Sequence, residues 1–411
     1  MSRFGKTLPY GAQSISDKDI DAVVDCLRSD FLTQGPRVET FEENLCAYTG
    51  AQHAVAVSSG TAGLHLACAA FGLGPGAFGL TSAVTFAASA NAIRYTGARA
   101  GLIDVDPRSG LVTPETLEQA LSELRAENDM PNIVVPVDLG GQPVDLVGLT
   151  EQTEEMGAIL LQDAAHSIGA TYRSPHGIHQ VGDGSYADAT IFSFHPVKHI
   201  TTGEGGAVVT DDAGLAARVR SLRSHGVERN PSEWIRSPED PFVGPWYYEQ
   251  QSLGFNYRLP DLNCALGISQ LQRLSSFVER RRELASRYNE AFSSDFFRDH
   301  VAPQTQNPAV QSSYHLYILR ILPRPGENLE GVATRRKALY GQLLEAGIRT
   351  QVHYIPLAWH PNFKDVWRPS QGLRGAEQYY AGCLSLPLFP GMQNNDIDRV
   401  VSCVEAFFKT Q

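Results

Sequence analysis

Short apolar runs alternate with amphipathic stretches between residues 54 and 224, and this alternation narrows the fold to one class. Ala54 to Val57, Leu102 to Val105, Ile133 to Val137, Ala158 to Gln162, Ala189 to Ser193 and Ala207 to Thr210 read as strands. Ala62 to Phe71, Pro114 to Glu127 and Ala213 to about Ser224 read as helices, with Pro114 at a favoured first helical position. Apolar strands without clean in-and-out alternation, separated by helices, belong to a mainly parallel sheet covered on both faces. Ligands of such sheets bind beyond the carboxyl ends of the strands.

The flanks complete an α/β protein. Ser16 is placed to cap a helix carrying Ile20, Val23, Val24 and Leu27, with Asp17 and Asp19 in its first turn. A second amphipathic helix runs from about Val38 to Tyr48. The stretch from Glu228 to Ser252, rich in Pro, Trp and Tyr, reads as a surface loop of the active site or a subunit contact. Beyond it one long helical pattern extends from Leu262 to about Phe292, then a strand from Tyr317 to Leu322 and a helix from Thr334 to Gly347. A chain of 411 residues exceeds one compact core. The expected division is a large domain over 1–260 and a smaller α+β domain over 261–411.

A net charge of −11 argues against nonspecific nucleic-acid binding, which depends on a basic surface. No apolar run reaches the ~18 residues of a membrane span, and no apolar segment follows Met1 to Lys6. The six cysteines contain no C-x-x-C pair, so neither a metal site nor dithiol redox chemistry is expected. The reading is a reduced, cytoplasmic enzyme.

Three groups fall at predicted strand ends. Lys198 lies between the run ending at Ser193 and the glycine-rich Gly203-Glu204-Gly205-Gly206; a lysine there can hold a carbonyl cofactor as a Schiff base, or can simply be solvated. Asp163 ends an apolar run, where a buried carboxylate needs a partner; a protonated pyridine nitrogen would serve, and a helix cap at Ala164 is the alternative. Ser58 to Gly63 offers hydroxyls and open amides at a helix start, suited to a phosphate, although any capped turn can look alike. Together these are the anchors that pyridoxal phosphate needs. Phe86 could stack on a flat ring or join the core, and His166 could bond the ring hydroxyl or be structural.

In order and together, these segments resemble the DegT/DnrJ/StrS family of sugar aminotransferases, which have the type I fold of pyridoxal-phosphate enzymes. The resemblance covers nearly the whole chain. It is carried by S-S-G-T-A-G-L at Ser58 to Leu64, Q-D-A-A-H-S-I-G at Gln162 to Gly169, S-F-H-P-V-K-H-I-T-T-G-E-G-G-A-V-V-T at Ser193 to Thr210, and G-F-N-Y-R-L-P-D-L-N-C-A-L-G at Gly254 to Gly267. It implies that Lys198 carries the cofactor, that Asp163 pairs with its ring nitrogen, and that Ser59, Gly60, Thr61 and Ser193 hold its phosphate. It also implies that Asn256 reaches the phosphate of a neighbouring subunit in a homodimer.

Within the family, the chain is most similar to transaminases that aminate C4 of a UDP-4-keto-6-deoxy-N-acetylhexosamine in the pseudaminic acid pathway, with glutamate as donor and 2-oxoglutarate as by-product. The segments behind this are Leu32 to Gly35, Ile200 to Gly206, Arg223 to Gly226 and Gln351 to Tyr354. The similarity assigns Tyr10, Asp30, Phe31, Leu32, Thr33, Val352, His353, Tyr354 and Ile355 to the sugar-nucleotide site. Two stretches depart from the family pattern. Ala77-Phe78-Gly79-Leu80 replaces an acidic pair before a buried strand, predicting altered loop packing, and Pro231 to Tyr248 is longer than expected. The rivals are an aminotransferase for another nucleotide keto sugar, a sugar dehydratase on the same fold, which carries histidine in place of the lysine, and a noncatalytic ligand-sensing member.

Overall fold

The computed structural model describes residues 7 to 410. The central element is a seven-stranded sheet. Its strands are β1 (His53–Val57), β2 (Phe78–Ser82), β3 (Arg99–Ile103), β4 (Ile133–Val135) and β5 (Ile159–Asp163). A hairpin of β6 (Thr171–Ser174) and β7 (Gly177–Gln180) stands apart, and β8 (Ala189–Ser193) and β9 (Gly206–Thr210) return to the sheet. The spatial order is β1-β9-β8-β5-β4-β2-β3. Only β9 runs against the others, paired antiparallel to both β1 and β8. The carboxyl ends of β1, β5 and β8 therefore open on one edge. The sheet is mostly parallel, as expected, and β2, β4 and β9 are buried along their whole length because helices cover both faces.

Local chemistry explains the elements around that edge. Helix α1 (Asp17–Leu27) starts at a capping box in which Ser16 and Asp19 exchange hydrogen bonds, and α2 (Pro36–Thr49) starts on proline and ends at Gly50 with φ 94°. Helix α3 (Gly60–Ala70) is capped by Ser59, whose Oγ accepts from Ala62 N at 3.1 Å. A Cβ on Gly206, the first residue of β9, would lie 2.6 Å from both Gly60 N and Ser59 C. Only glycine lets this strand pass so close to the start of α3.

Two expectations about elements are corrected. The long helix from Leu262 to Phe292 is two helices, Asp261–Leu271 and Leu274–Phe292. Arg273 leaves ideal helical geometry at φ −107° and ψ −1°, and its guanidinium pairs with the fully buried Asp19 of α1, which also accepts from Ser269 and Gln270. Anchoring to α1 breaks the helix where no proline or glycine marks a break. The segment Ala77 to Leu80 is likewise not a loop before a strand: β2 begins at Phe78, and its five residues are all buried. The helices Ala88–Tyr95 and Leu146–Met156 were not expected.

The largest apolar cluster lies under the sheet and includes Leu271, Leu274, Phe277 and Val278. A second gathers Leu284, Tyr288, Tyr317, Leu319, Leu384, Val400 and Phe407, with Leu8 arriving from the other end of the chain. The helix Leu274–Phe292 thus begins on one core and finishes on the other. Among the described residues no helix is long and apolar enough to cross a membrane.

Candidate active site

Beyond the carboxyl edge of the sheet is a cavity of about 360 Å³. Larger clefts open elsewhere on the surface, but this one holds both Asp163 and Lys198. Tyr10, Ser59, Gly60, Thr61, Phe86, Asp163, His166, Ser193, Lys198, His353 and Tyr354 all line it. Eleven positions chosen from sequence are therefore brought together by one fold edge.

The floor is set by strand ends. Asp163 is the last residue of β5 and only 4% exposed. Ser89 Oγ donates to it at 2.7 Å and Ala165 N at 3.2 Å. Burial raises its proton affinity, against the pull of those bonds and of Lys198. Lys198 sits on a closed loop between β8 and β9. Phe194 and Ile200 anchor that loop in the core, Phe194 N bonds Gly205 O at 2.8 Å, and Lys198 N bonds His195 O at 2.9 Å. Burial brings the Lys198 ammonium down to about 8, with Asp163 opposing. The start of α3 faces the end of β8 closely: a Cβ on Gly60 would lie 3.0 Å from that of Ser193.

Histidines and tyrosines form one wall. His166 Nδ1 lies 3.4 Å from Gly140 N and its Nε2 lies 3.2 Å from the Tyr354 hydroxyl. His353 Nδ1 is 2.8 Å from Ser385 Oγ, its ring is 5.9 Å from that of Tyr10, and burial with Lys198 lowers it to about 3. Phe86 is 63% exposed at the mouth, its ring 6.3 Å from Tyr354, so it is no core phenylalanine.

Other predicted residues stand apart from the cavity in this chain. Asp30, Phe31, Leu32 and Thr33 are exposed and do not line it. Val352 is half-buried and Ile355 is 41% exposed, flanking the two cavity residues between them. Asn256 is also absent from the lining. Phe255 and Tyr257 on either side of it pack on His65 of α3, with ring separations of 4.7 and 5.9 Å, while its backbone pairs with Ser224.

Sequence reasoning missed several groups. His195 and Glu204 line the cavity from the same loop as Lys198. Ser89 holds Asp163 from an unexpected helix. Asp138 is fully buried behind Asp163, accepting from Gln162 Nε2 at 2.8 Å, Ser167 Oγ at 2.5 Å and Val144 N at 3.0 Å. Burial raises it to about 7 despite those donors. It follows an apolar run, Ile133 to Val137, which is the signal that exposed Asp163. His315 lines the cavity from a segment with no sequence signal.

Residues 13–405 match the DegT/DnrJ/EryC1/StrS aminotransferase family. The chain belongs to this family. It is 37% identical over 407 residues to the spore coat polysaccharide biosynthesis protein SpsC of Bacillus subtilis, covering 98% of this chain and 97% of that one. It is 35% identical over 389 residues to a UDP-4-amino-4,6-dideoxy-N-acetyl-β-L-altrosamine transaminase of Campylobacter jejuni, covering 95% and 94%. Among solved structures, PseC of Helicobacter pylori, an aminotransferase involved in the biosynthesis of pseudoaminic acid, superposes with a TM-score of 0.86 at 27% identity. That superposition covers 98% of this chain and all of the other. The chain is accordingly a sugar aminotransferase that uses pyridoxal 5'-phosphate.

Proposed function

We propose that the enzyme moves an amino group from glutamate to C4 of a UDP-4-keto-6-deoxy-N-acetylhexosamine, in the manner of pseudaminic acid pathway transaminases. The observation that carries this reading is Lys198 and Asp163 together at the floor of a cavity walled by Tyr10, His353 and Tyr354. The kinship with the Campylobacter jejuni and Helicobacter pylori enzymes supports the sugar. A dehydratase is disfavoured by the lysine at position 198.

The residues present fit the cofactor. Asp163 is a buried carboxylate whose hydrogen-bond donors among the described residues, Ser89 Oγ and Ala165 N, are both neutral, and the bare Gly60 leaves the α3 amides open. When bound, pyridoxal phosphate supplies an aldehyde for amine exchange and a ring that takes up electrons. Asp163 would hold the ring nitrogen protonated, with Ser89 and Ala165 N keeping its carboxylate in place. Ser59, Gly60, Thr61 and Ser193 would bind the phosphate, where the start of α3 favours negative charge. Phe86 would cover one ring face at the mouth, and His166 would contact the ring from the wall. Lys198 would hold the cofactor's aldehyde, and its amine, brought down to about 8 by burial, would serve as a base suited to carrying a proton between two carbons.

The active unit in this reading is a homodimer in which Asn256 serves the phosphate of the other subunit. Its place between two inward-packed aromatics, outside its own cavity, supports that role. Asp30 to Thr33 would meet the sugar nucleotide on the same shared face. The test is product analysis by mass spectrometry and NMR after incubation with glutamate and a panel of UDP-4-keto sugars. A 4-amino sugar is the expected product; a deoxy sugar, or no amination across the panel, overturns the reading.

A further inference from the structure

Both ring nitrogens of His166 are engaged within the chain, and their partners fix its proton. The Gly140 N–H can only donate, so Nδ1, 3.4 Å away, is the acceptor. A neutral ring then carries its proton on Nε2, which faces the Tyr354 hydroxyl at 3.2 Å. His166 is kept neutral by burial, its main cause, with the nearby Lys198 ammonium adding to it. The Nε2–H therefore donates to the phenol oxygen, and the phenol keeps its own proton for another acceptor.

That geometry is braced from the second half of the chain. The His315 ring lies 4.4 Å from the His166 ring. Ser313 N bonds Gly141 O at 2.9 Å and Leu316 N bonds Gly140 O at 3.1 Å, so the turn that supplies the donor to Nδ1 is tied down. Among the described residues, Tyr354 O–H has no acceptor, and Tyr354 lines the same cavity as Lys198. Burial, Asp163 and Tyr10 all push its phenol up, which keeps it a donor.

We propose that Tyr354 is a further catalytic residue whose O–H donates a hydrogen bond to the carbonyl oxygen of the keto sugar, with His166 as the positioning residue that orients it. A donor at that oxygen draws electron density from the carbonyl carbon and favours attack by an amine. The inference rests on the keto-sugar aminotransferase reading above.

Tyr354→Phe removes the hydroxyl and keeps the ring. In the holoenzyme, the half-reaction with the UDP-4-keto sugar is expected to slow by about 10²-fold, the loss typical of one such donor. The glutamate half-reaction, followed by the change in cofactor absorbance, is expected to stay within about twofold. Equal slowing of both halves, slowing of the glutamate half alone, or no slowing overturns the proposal while wild type still aminates the sugar. Failure of wild type to aminate any keto sugar overturns the functional reading instead, and the proposal with it. A second readout is independent of turnover. In enzyme labelled with 15N-histidine, the resonance lost in His166→Gln is expected to show a protonated Nε2 and a bare Nδ1, with Nε2 shifting in Tyr354→Phe. The opposite tautomer, or no shift, also overturns it.

Discussion

Asp163, Ser193 and Ser59 reach the cavity from the ends of strands and the start of a helix in one sheet, whereas Asp30 to Thr33 and Asn256 stand outside it. The first group is held by register: β5 pairs with β8, β8 with β9, and β9 passes α3 closely enough to require Gly206. The second group sits on loops beside another cleft, of about 680 Å³, lined by Gln34, Gly35, Ser224 and Arg258. Chemistry common to a family can be built into a sheet edge, which tolerates little change. Recognition of one sugar is better placed on loops, which vary without disturbing the core. In the proposed dimer the loop face of one subunit completes the rim of the other's cavity.

The largest effect should come from breaking the floor. Lys198→Ala removes the proposed anchor of the cofactor and the proposed base together, and turnover is expected to fall by at least about 10³-fold. Steady-state amination and the visible absorbance of the bound cofactor measure this; wild-type turnover in the variant would show that the floor is not the reacting centre. Next in size is a pH effect. Only the neutral amine attacks an aldehyde, and Lys198 titrates near 8. Cofactor capture by cofactor-free enzyme should therefore rise roughly tenfold per pH unit well below that value, about fiftyfold between pH 6 and 8, and then level. Mixing experiments followed by absorbance test it, and a midpoint near that of free lysine would mean that the floor is wet.

The same contrast explains what the sequence made legible. Asp163, Ser193 and Lys198 each follow an apolar run, so their place on a strand edge could be read from periodicity. Asp138 carries the same signal and was overlooked because no cofactor group called for it. Strand β2, Phe78 to Ser82, mixes Gly79, Thr81 and Ser82 with two apolar residues, a pattern too weak to read before burial is known. The break at Gln272 and Arg273 was illegible for another reason. Helical spacing continues across it, and its cause, Asp19, lies some 250 positions earlier. His315 belongs to a crossover whose contacts with Gly140, Gly141 and His199 exist only once the two halves meet. The sugar residues at 30–33 and 352–355 came from family resemblance, and the structure gathers only His353 and Tyr354 of them around the cavity of one chain.

The smallest effect is the one that best separates floor from rim. Asn256→Ala removes the single hydrogen bond proposed to the cofactor phosphate, so cofactor affinity should weaken about tenfold while the protein folds normally. Affinity alone does not say whose cofactor is held, but mixing does. At limiting cofactor, Lys198→Ala protein should be nearly inactive and Asn256→Ala protein should keep about a tenth of wild-type activity. If Asn256 acts across the interface, a hybrid dimer has one site with both lesions and one with neither. Random reassociation should then restore about a quarter of wild-type sites. If Asn256 acts within its own chain, every hybrid site carries one lesion and activity stays low. Recovery would make the rim a property of two chains and the floor a property of one; its absence would require Phe255 to Tyr257 to turn toward the cavity of their own subunit.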